Sequence, residues 1–447
     1  MSGIKAGLLI FFVSVIVYSN SLGGEFIYDD GYFIVKNINI RNLENIPSFF
    51  INPAAVAFSE LAKDVYRPVT TSSYALDYFL WKLNTFGYHL VNVLFHSFNA
   101  ILLFLFLYAV FGKISFALFA SLFFACHPVQ TEVVSWISGR ASVLFLFFYL
   151  AALLFYVKRY FVLSLFLYAL SLFSKEMAVT LPLVLIACDA HFFPKDAFRK
   201  KVLRYCPYFA LTLFFLVLRS FVLKRVSQCG WWGGSPYHTF LTMAWVMAEY
   251  IKLLFFPVKL CAFYVLDAAR SIAETKVLAS VTALAALSIS LPYLFKRFRR
   301  ASFAVWWFFI TILPVSNIVP LRALMAERFL YLPSIGFCIL IAVFIDRLKA
   351  VFTKRGRLVA NAAAIALILA YSMRTVARNE DWKDPITVTE RIVELYPLNP
   401  WALTTLATLY LEEKRCDEAV KAARKGIAIS GNCAPPWHAL GFCYLEM

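Results

Sequence analysis

The sequence is cut into a succession of apolar runs separated by short polar loops, and this limits the fold more than any other feature. A helix that crosses a bilayer needs about 20 mostly apolar residues and satisfies its own backbone hydrogen bonds there. Runs of this kind lie near 4–22, 88–111, 114–127, 141–157, 160–173, 177–193, 205–222, 274–295, 301–313, 328–345 and 358–375, eleven in all. Only 15% of the 447 residues are charged, against about 25% in an average soluble domain. The expected fold is therefore an all-α polytopic membrane protein. No small-x-small cleavage site follows the first run, which reads as an uncleaved first helix rather than a signal peptide.

The formal charge of +17 would suggest nucleic-acid binding in a soluble protein. Here the basic residues gather in short loops, which argues for topology and against a nucleic-acid partner. Lys113, Lys158, Arg159, Lys195, Arg199, Lys200, Lys201, Arg204, the KRFRR run at 296–300, Arg347, Lys349, Lys354, Arg355 and Arg357 all fall on one side of the predicted spans. By the positive-inside rule that side is cytoplasmic. The residues 239–258 are apolar enough to tempt a further crossing, but a crossing there would reverse the charge pattern. They read as an interfacial or re-entrant helix on the outer face, with Glu249 and Lys252 on a cavity wall. In the long first outer loop, 23–87, Tyr74, Tyr78 and Trp81 recur at helical spacing, as in an amphipathic helix lying in the interface.

After residue 376 the pattern changes. The windows LTTLATLY (403–410) and WHALGFCY (437–444) align at an offset of 34 residues, and Ala419 follows Tyr410 by nine. Both are features of a tetratricopeptide (TPR) repeat, a helix pair of about 34 residues that buries its face on the next pair. The segment 384–397 reads as a preceding second helix. The chain thus divides into a transmembrane domain at 1–375 and a TPR region at 376–447, a short array that offers a surface to a protein partner.

Charges beside membrane spans are costly and mark candidate function. Asp29 and Asp30 stand side by side after the first run. As a hydrated loop or helix cap they need no further role. As a site they could take the proton of an attacking hydroxyl or hold Mg²⁺ or Mn²⁺ through oxygen. Glu132 and Arg140 are eight residues apart and share a face if their segment is helical. His127, before Pro128, suits a helix start. Lys175 with Glu176, and Glu327 with Arg328, are adjacent pairs that either snorkel or clamp a phosphate. Arg67, Asp77 and His89 complete the outer-face set. The nine cysteines show no zinc-ligand spacing.

Taken together, YDD after the first span, YRPVTTSSYALDYFLWKLNTFGYHLVN, FACHPVQTEVVSWISGRAS, SLFSKEMAVTLPLVL and AERFLYLPSIGF resemble the transmembrane and TPR-containing O-mannosyltransferases and their bacterial relatives, of the GT-C type. The resemblance implies a bundle of about eleven transmembrane helices with outer-face interfacial helices. It also implies inverting transfer of a sugar from a polyprenyl-phosphate donor to a protein hydroxyl or glycan on the non-cytoplasmic face. The acidic motif then falls on Asp29 and Asp30, either of which could be the base. Lys175, Arg328 and Arg140 are expected at the donor phosphate, with Glu132, Glu176, Glu327, Arg67 and His127 in support. The short array argues for a bacterial inner membrane with the site facing the periplasm; in a eukaryote the counterpart is the endoplasmic reticulum and its lumen. A lipid-linked sugar transporter should show paired internal repeats among its spans, and none is visible. A non-enzymatic TPR scaffold would have no use for acids in the first loop.

The charge pattern makes a direct prediction about topology. Cysteine labelling of intact membranes should place residues 380–447 on the side opposite the 296–300 loop. Labelling of both from the same side would refute the orientation.

Overall fold

In the computed structural model, which describes residues 2–58, 65–193, 198–223, 230–351 and 353–429, all regular structure is helical. Helix α1 (Gly3–Tyr18) begins on the Ser2 side chain, which accepts the Lys5 N–H. The first outer loop contains α2 (Ile46–Ile51) and α3 (Pro68–Trp81), and α4 (Thr85–Phe111) follows. The sequence sets both ends of α4. Asn84 accepts the Phe86 N–H at 3.1 Å. Gly112 closes the far end at φ 64°, a left-handed conformation that suits a residue without Cβ.

Helix α5 (Ile114–Cys126) leads into the short α6 (Thr131–Ser135), and the chain bends by 52° between them at His127 and Pro128. The residue before a proline is driven out of the helical region, and His127 is extended at φ −71°, ψ 126°. The bundle continues through α7 (Arg140–Val157), α8 (Phe161–Ser174), α9 (Leu181–Phe192), α10 (Phe198–Leu223), α11 (Pro236–Phe255), α12 (Thr275–Arg297), α13 (Arg299–Ile312), α14 (Ser334–Val351) and α15 (Lys354–Asn379).

Helix α7 is apolar all round and is the most enclosed span, packed against α4 and α8. Helix α5 sits among α1, α4, α14 and α15. Helices α10 and α12 are peripheral and turn Phe214, Phe221, Ile289 and Tyr293 outward. Such a large exposed apolar surface fits contact with lipid and not with water.

Six helices among the described residues are long and apolar enough to cross a membrane, or seven if α5 and α6 form one broken span. The fold is thus all-α and polytopic, but length and composition do not reach the expected eleven spans. Helices α8, α9 and α13 have 14, 12 and 14 residues, and at 1.5 Å per residue each rises only about 20 Å. Short 3₁₀ turns at Glu176–Thr180 and Leu313–Val315 bound them, so α9 starts only at Leu181, inside the apolar run at 177–193. Helix α11 is the predicted extra helix, and it is not among the six. Its Glu249 and Lys252 pair with each other at 3.2 Å on the helix surface, with Lys252 largely exposed, rather than lining a cavity.

Beyond α15 lie α16 (Pro385–Leu395), α17 (Pro400–Glu412) and α18 (Cys416–Ile429). Asp384 and Asn399 cap the first two through the Thr387 and Ala402 N–H groups at 2.8 and 3.2 Å. Helices α17 and α18 pack as a pair around Leu406, Ala407, Tyr410 and Ala419, positions that the 34-residue pattern singles out. The second window, 437–444, lies outside the described residues, as does Lys195.

Helix α3 is amphipathic in an unusual sense. Its outer face is apolar, with Leu76, Phe79 and Leu80 exposed, while its inner face buries Thr70, Thr71, Tyr74 and Asp77. Asp77 is there for Arg140 at the start of α7, at 2.7 Å, and both side chains are inside. Burial raises the Asp77 pKa, and Arg140 opposes that rise. Removing one partner leaves the other buried and unpaired. Asp77→Ala should therefore destabilise the protein by about 3–5 kcal/mol, and the double variant Asp77→Leu/Arg140→Met by less. Unfolding midpoints in detergent check this.

Candidate active site

The two adjacent aspartates have opposite environments. Asp30 is completely buried. One of its carboxylate oxygens accepts the Ile27 N–H at 2.8 Å; the other accepts the Ser138 N–H at 2.8 Å and the Ser138 hydroxyl. Burial pushes its pKa up to about 7. Ser138 can reach Asp30 because the chain folds tightly between α6 and α7. A Cβ at Gly139 would lie 2.1 Å from the Val133 carbonyl oxygen, so only glycine permits this turn.

Asp29, one residue earlier, is exposed. Its backbone carbonyl accepts the Tyr32 and Phe33 N–H groups, each at 3.0 Å, opening a π-helical turn. Its carboxylate accepts no hydrogen bond from the described residues. It stands in a crowded recess where partial burial raises its pKa, while Arg328, Arg67 and Arg322 pull it down. Three arginines are thus close enough to act electrostatically on one accessible carboxylate. Arg322 was missed from sequence; its only signal is a basic residue on the outer loop at 314–327.

The remaining candidates frame this recess. Arg67 holds Glu176 through two hydrogen bonds at 3.1 and 2.8 Å. Burial would raise the Glu176 pKa, but Arg67 outweighs it and holds the carboxyl well below its usual range. Lys175 is buried beside this pair and donates to the Ser142 hydroxyl at 2.7 Å. Burial lowers its pKa to about 7, and Arg67 adds to the fall. Arg328 pairs with the buried Glu132, whose second oxygen accepts the Arg328 backbone N–H at 2.7 Å. Part of the Arg328 side chain stays exposed.

Several expectations change here. Glu132 and Arg140 do not share a helix face, because the turn at residues 136–139 separates α6 from α7. Arg140 is also withdrawn from any phosphate. Its guanidinium is fully buried and bonded to Asp77, to Asn92 and to the Tyr88 carbonyl at 2.9 Å. His127 has a structural place: Nε2 bonds the Leu254 carbonyl at 2.9 Å and Nδ1 accepts the Val129 N–H at 3.2 Å.

The adjacent charges Glu327 and Arg328 are not a pair. Arg328 faces the recess, while Glu327 turns away. Glu327 accepts from the Cys261 N–H and, at 2.9 Å, from the Tyr264 hydroxyl, and lies 3.5 Å from Arg378 on α15. Burial raises its pKa and Arg378 opposes that. His89, also buried, lies next to Gly24.

Asp29 and Asp30 do not make a divalent-ion site. Asp30 commits both oxygens to the chain, and no group of three or more His, Cys, Asp or Glu side chains converges among the described residues. No step is therefore assigned to Mg²⁺ or Mn²⁺.

The fold and recess define a helical polytopic membrane protein with a charged site set among the loops that join its helices. No family model matches the chain. Among curated proteins it is 30% identical to a protein O-mannosyl-transferase of Caenorhabditis elegans over 417 residues, 89% of this chain and 59% of that protein. It is 26% identical to the human protein O-mannosyl-transferases TMTC3 and TMTC1, covering 94% and 98% of this chain and 50% and 56% of theirs. The chain is a homologue of the protein O-mannosyl-transferases TMTC1 to TMTC4, the family its motifs resemble. It spans between half and two thirds of the length of these curated relatives.

Lys175 gives the site a measurable pH signature. Its pKa is near 7 in the folded protein and about 10.4 when unfolded. Between those values the unfolded chain binds more protons, so this residue makes stability rise with pH across the window. Comparing unfolding midpoints of wild type and Lys175→Met from pH 7 to about pH 9.5 should show that component lost in the variant.

Proposed function

We propose that this chain is a mannosyltransferase that moves mannose from a polyprenyl-phosphate donor to a protein hydroxyl at the non-cytoplasmic face of a membrane, with Asp29 as general base. The observation that carries the reading is the accessible Asp29 carboxylate, which accepts no hydrogen bond from the described residues and faces Arg328, Arg67 and Arg322 beside a fully bonded Asp30. The relatives' names support the sugar and the protein acceptor.

The acceptor oxygen attacks the anomeric carbon from the face opposite the phosphate. The new C–O bond forms as the bond from carbon to phosphate oxygen breaks, and the configuration inverts. The hydroxyl proton passes to Asp29, whose pKa burial raises above the ordinary carboxylate value. The bonding pair leaves with the phosphate. Arg328 and Lys175, at the recess, stabilise the charge that develops there. Asp30 holds the loop and takes no part in the chemistry. Residues 376–447, read as a TPR region, offer a surface for the polypeptide acceptor or another protein partner. The array's short length does not favour a bacterial inner membrane, since the chain covers only part of its relatives. The site face would be lumenal or periplasmic according to the host.

The test is transfer from polyprenyl-phosphate mannose to a Ser/Thr peptide by purified protein. Asp29→Asn should lose about a hundredfold to ten-thousandfold in rate and still bind donor. Transfer at the wild-type rate by Asp29→Asn would place the base elsewhere. Asp30→Asn should lower stability first, because it turns an amide toward N–H donors. Arg328→Ala and Lys175→Ala should each weaken donor binding by about 1.5–3 kcal/mol, the worth of a hydrogen bond to a charged group. Unchanged affinity in both would mean the phosphate is held by other groups.

A further inference from the structure

The turn that carries Asp29 is gripped from two sides. On the bundle side, Ser138 bonds Asp30, and the Trp136 indole donates to the Ile27 carbonyl at 3.1 Å. On the other side are the helices that follow the last span. The Glu25 N–H donates to the Lys383 carbonyl at 2.8 Å. The Tyr28 and Thr389 hydroxyls share a hydrogen bond at 2.9 Å, and the Tyr28 ring lies 5.8 Å from Trp401. The Ile27 side chain is buried in one cluster with Trp382, Val388, Ile392 and Ala402.

Tyr28 itself has φ 49°. This left-handed conformation is disfavoured for a residue with a Cβ, so contacts of Tyr28 must offset its cost. The contacts of its side chain are with Thr389 on α16 and Trp401 on α17. The next residue is Asp29. The Asp30 N–H closes the turn on the Ile27 carbonyl at 3.0 Å, and the Gly31 N–H bonds the Tyr28 carbonyl at 3.1 Å. With Asp30 anchored to Ser138, relaxation of Tyr28 toward ordinary φ would pivot the turn about that anchor and swing the Asp29 carboxylate out of its recess.

We propose that Tyr28 is a positioning residue for Asp29, held in place by α16 and α17, so that the first helices beyond the last span form part of the active-site frame. This rests on the reading of Asp29 as the base. The bland alternative is that Tyr28 and Thr389 merely pack the repeat region onto the bundle. That alternative predicts lost stability without a change in the chemical step.

The experiment compares wild type, Asp29→Asn, Tyr28→Phe, Thr389→Val and Thr389→Ser in the peptide transfer assay. Thr389→Val keeps the side-chain size and loses only the hydroxyl. Its kcat should fall about tenfold, the rate equivalent of one net hydrogen bond, while KM for the donor stays put. Tyr28→Phe should behave alike, and Thr389→Ser should restore the rate. Amide exchange supplies a readout independent of turnover. The Asp30 and Gly31 N–H groups should exchange faster in Thr389→Val and at the wild-type rate in Thr389→Ser. Wild-type exchange at these amides in Thr389→Val would overturn the proposal, as would faster exchange with unchanged kcat. If wild type transfers no sugar, or Asp29→Asn transfers it normally, the base reading falls and this proposal with it. Normal transfer by wild type, loss in Asp29→Asn and no effect in the Tyr28 and Thr389 variants would overturn this proposal alone.

Discussion

A charge taken into an apolar bundle must meet an opposite charge there, and the outer face of this protein is organised by that requirement. Asp77 meets Arg140, Glu132 meets Arg328, Glu176 meets Arg67, and Glu327 meets Arg378. Each pair joins elements distant in sequence: α3 to α7, α6 to the turn before α14, the start of α3 to the turn after α8, and that same pre-α14 turn to α15. Desolvation consumes most of the Coulombic gain of such pairs, so their contribution is one of position more than of net stability. They fasten the loops that would otherwise be the loosest parts of the molecule. The recess around Asp29 is what these fastened loops enclose.

Within that frame the aspartate pair divides its labour by burial. Two neighbouring carboxylates in a tight turn cannot face the same environment. Asp30 is buried and saturated by Ile27 and Ser138; Asp29 stays exposed, within the electrostatic reach of three arginines. A saturated carboxylate cannot take a proton from an acceptor without giving up a bond that holds the loop. The accessible one can, and its fixed neighbour keeps it in register. On the proposed reading, anchor and base are thus supplied by adjacent residues.

How much of this was legible in the sequence follows from the range of each interaction. The apolar runs, the helix over residues 68–81, and the pattern of Leu406, Ala407, Tyr410 and Ala419 are local, and local periodicity shows them. The charged positions were legible too, since a charge in so apolar a chain stands out. Their partners were not. Lys175 and Glu176 look like a pair, yet Glu176 binds Arg67, over a hundred residues away. Glu327 and Arg328 look like a pair, yet they point in opposite directions. Arg140 looked available for phosphate until Asp77 and Asn92 were seen to enclose it. Partner choice is a property of packing between distant segments, and one sequence carries no record of it. Span number is less legible for a related reason: six or seven helices among the described residues meet the length and composition of a crossing, against eleven apolar runs, and an apolar run does not reveal where its helix will stop.

The Glu327–Arg328 dipeptide shows how these constraints bear on function. Arg328 reaches the recess, and its backbone and side chain are both held by Glu132. Glu327, on the other side of the same turn, holds the loop at Cys261 and Tyr264 and lies against Arg378 near the end of α15. Arg378 also bonds Asp381 at 2.6 Å, and Asp381 lies 3.7 Å from Arg391 on α16. A continuous set of charges thus runs from the recess to the helices beyond the last span. Those helices also bear on the Asp29 turn through Thr389 and Trp401. The cation side and the carboxylate side of the recess are therefore tied to the same body, and a displacement of α16 would act on both together.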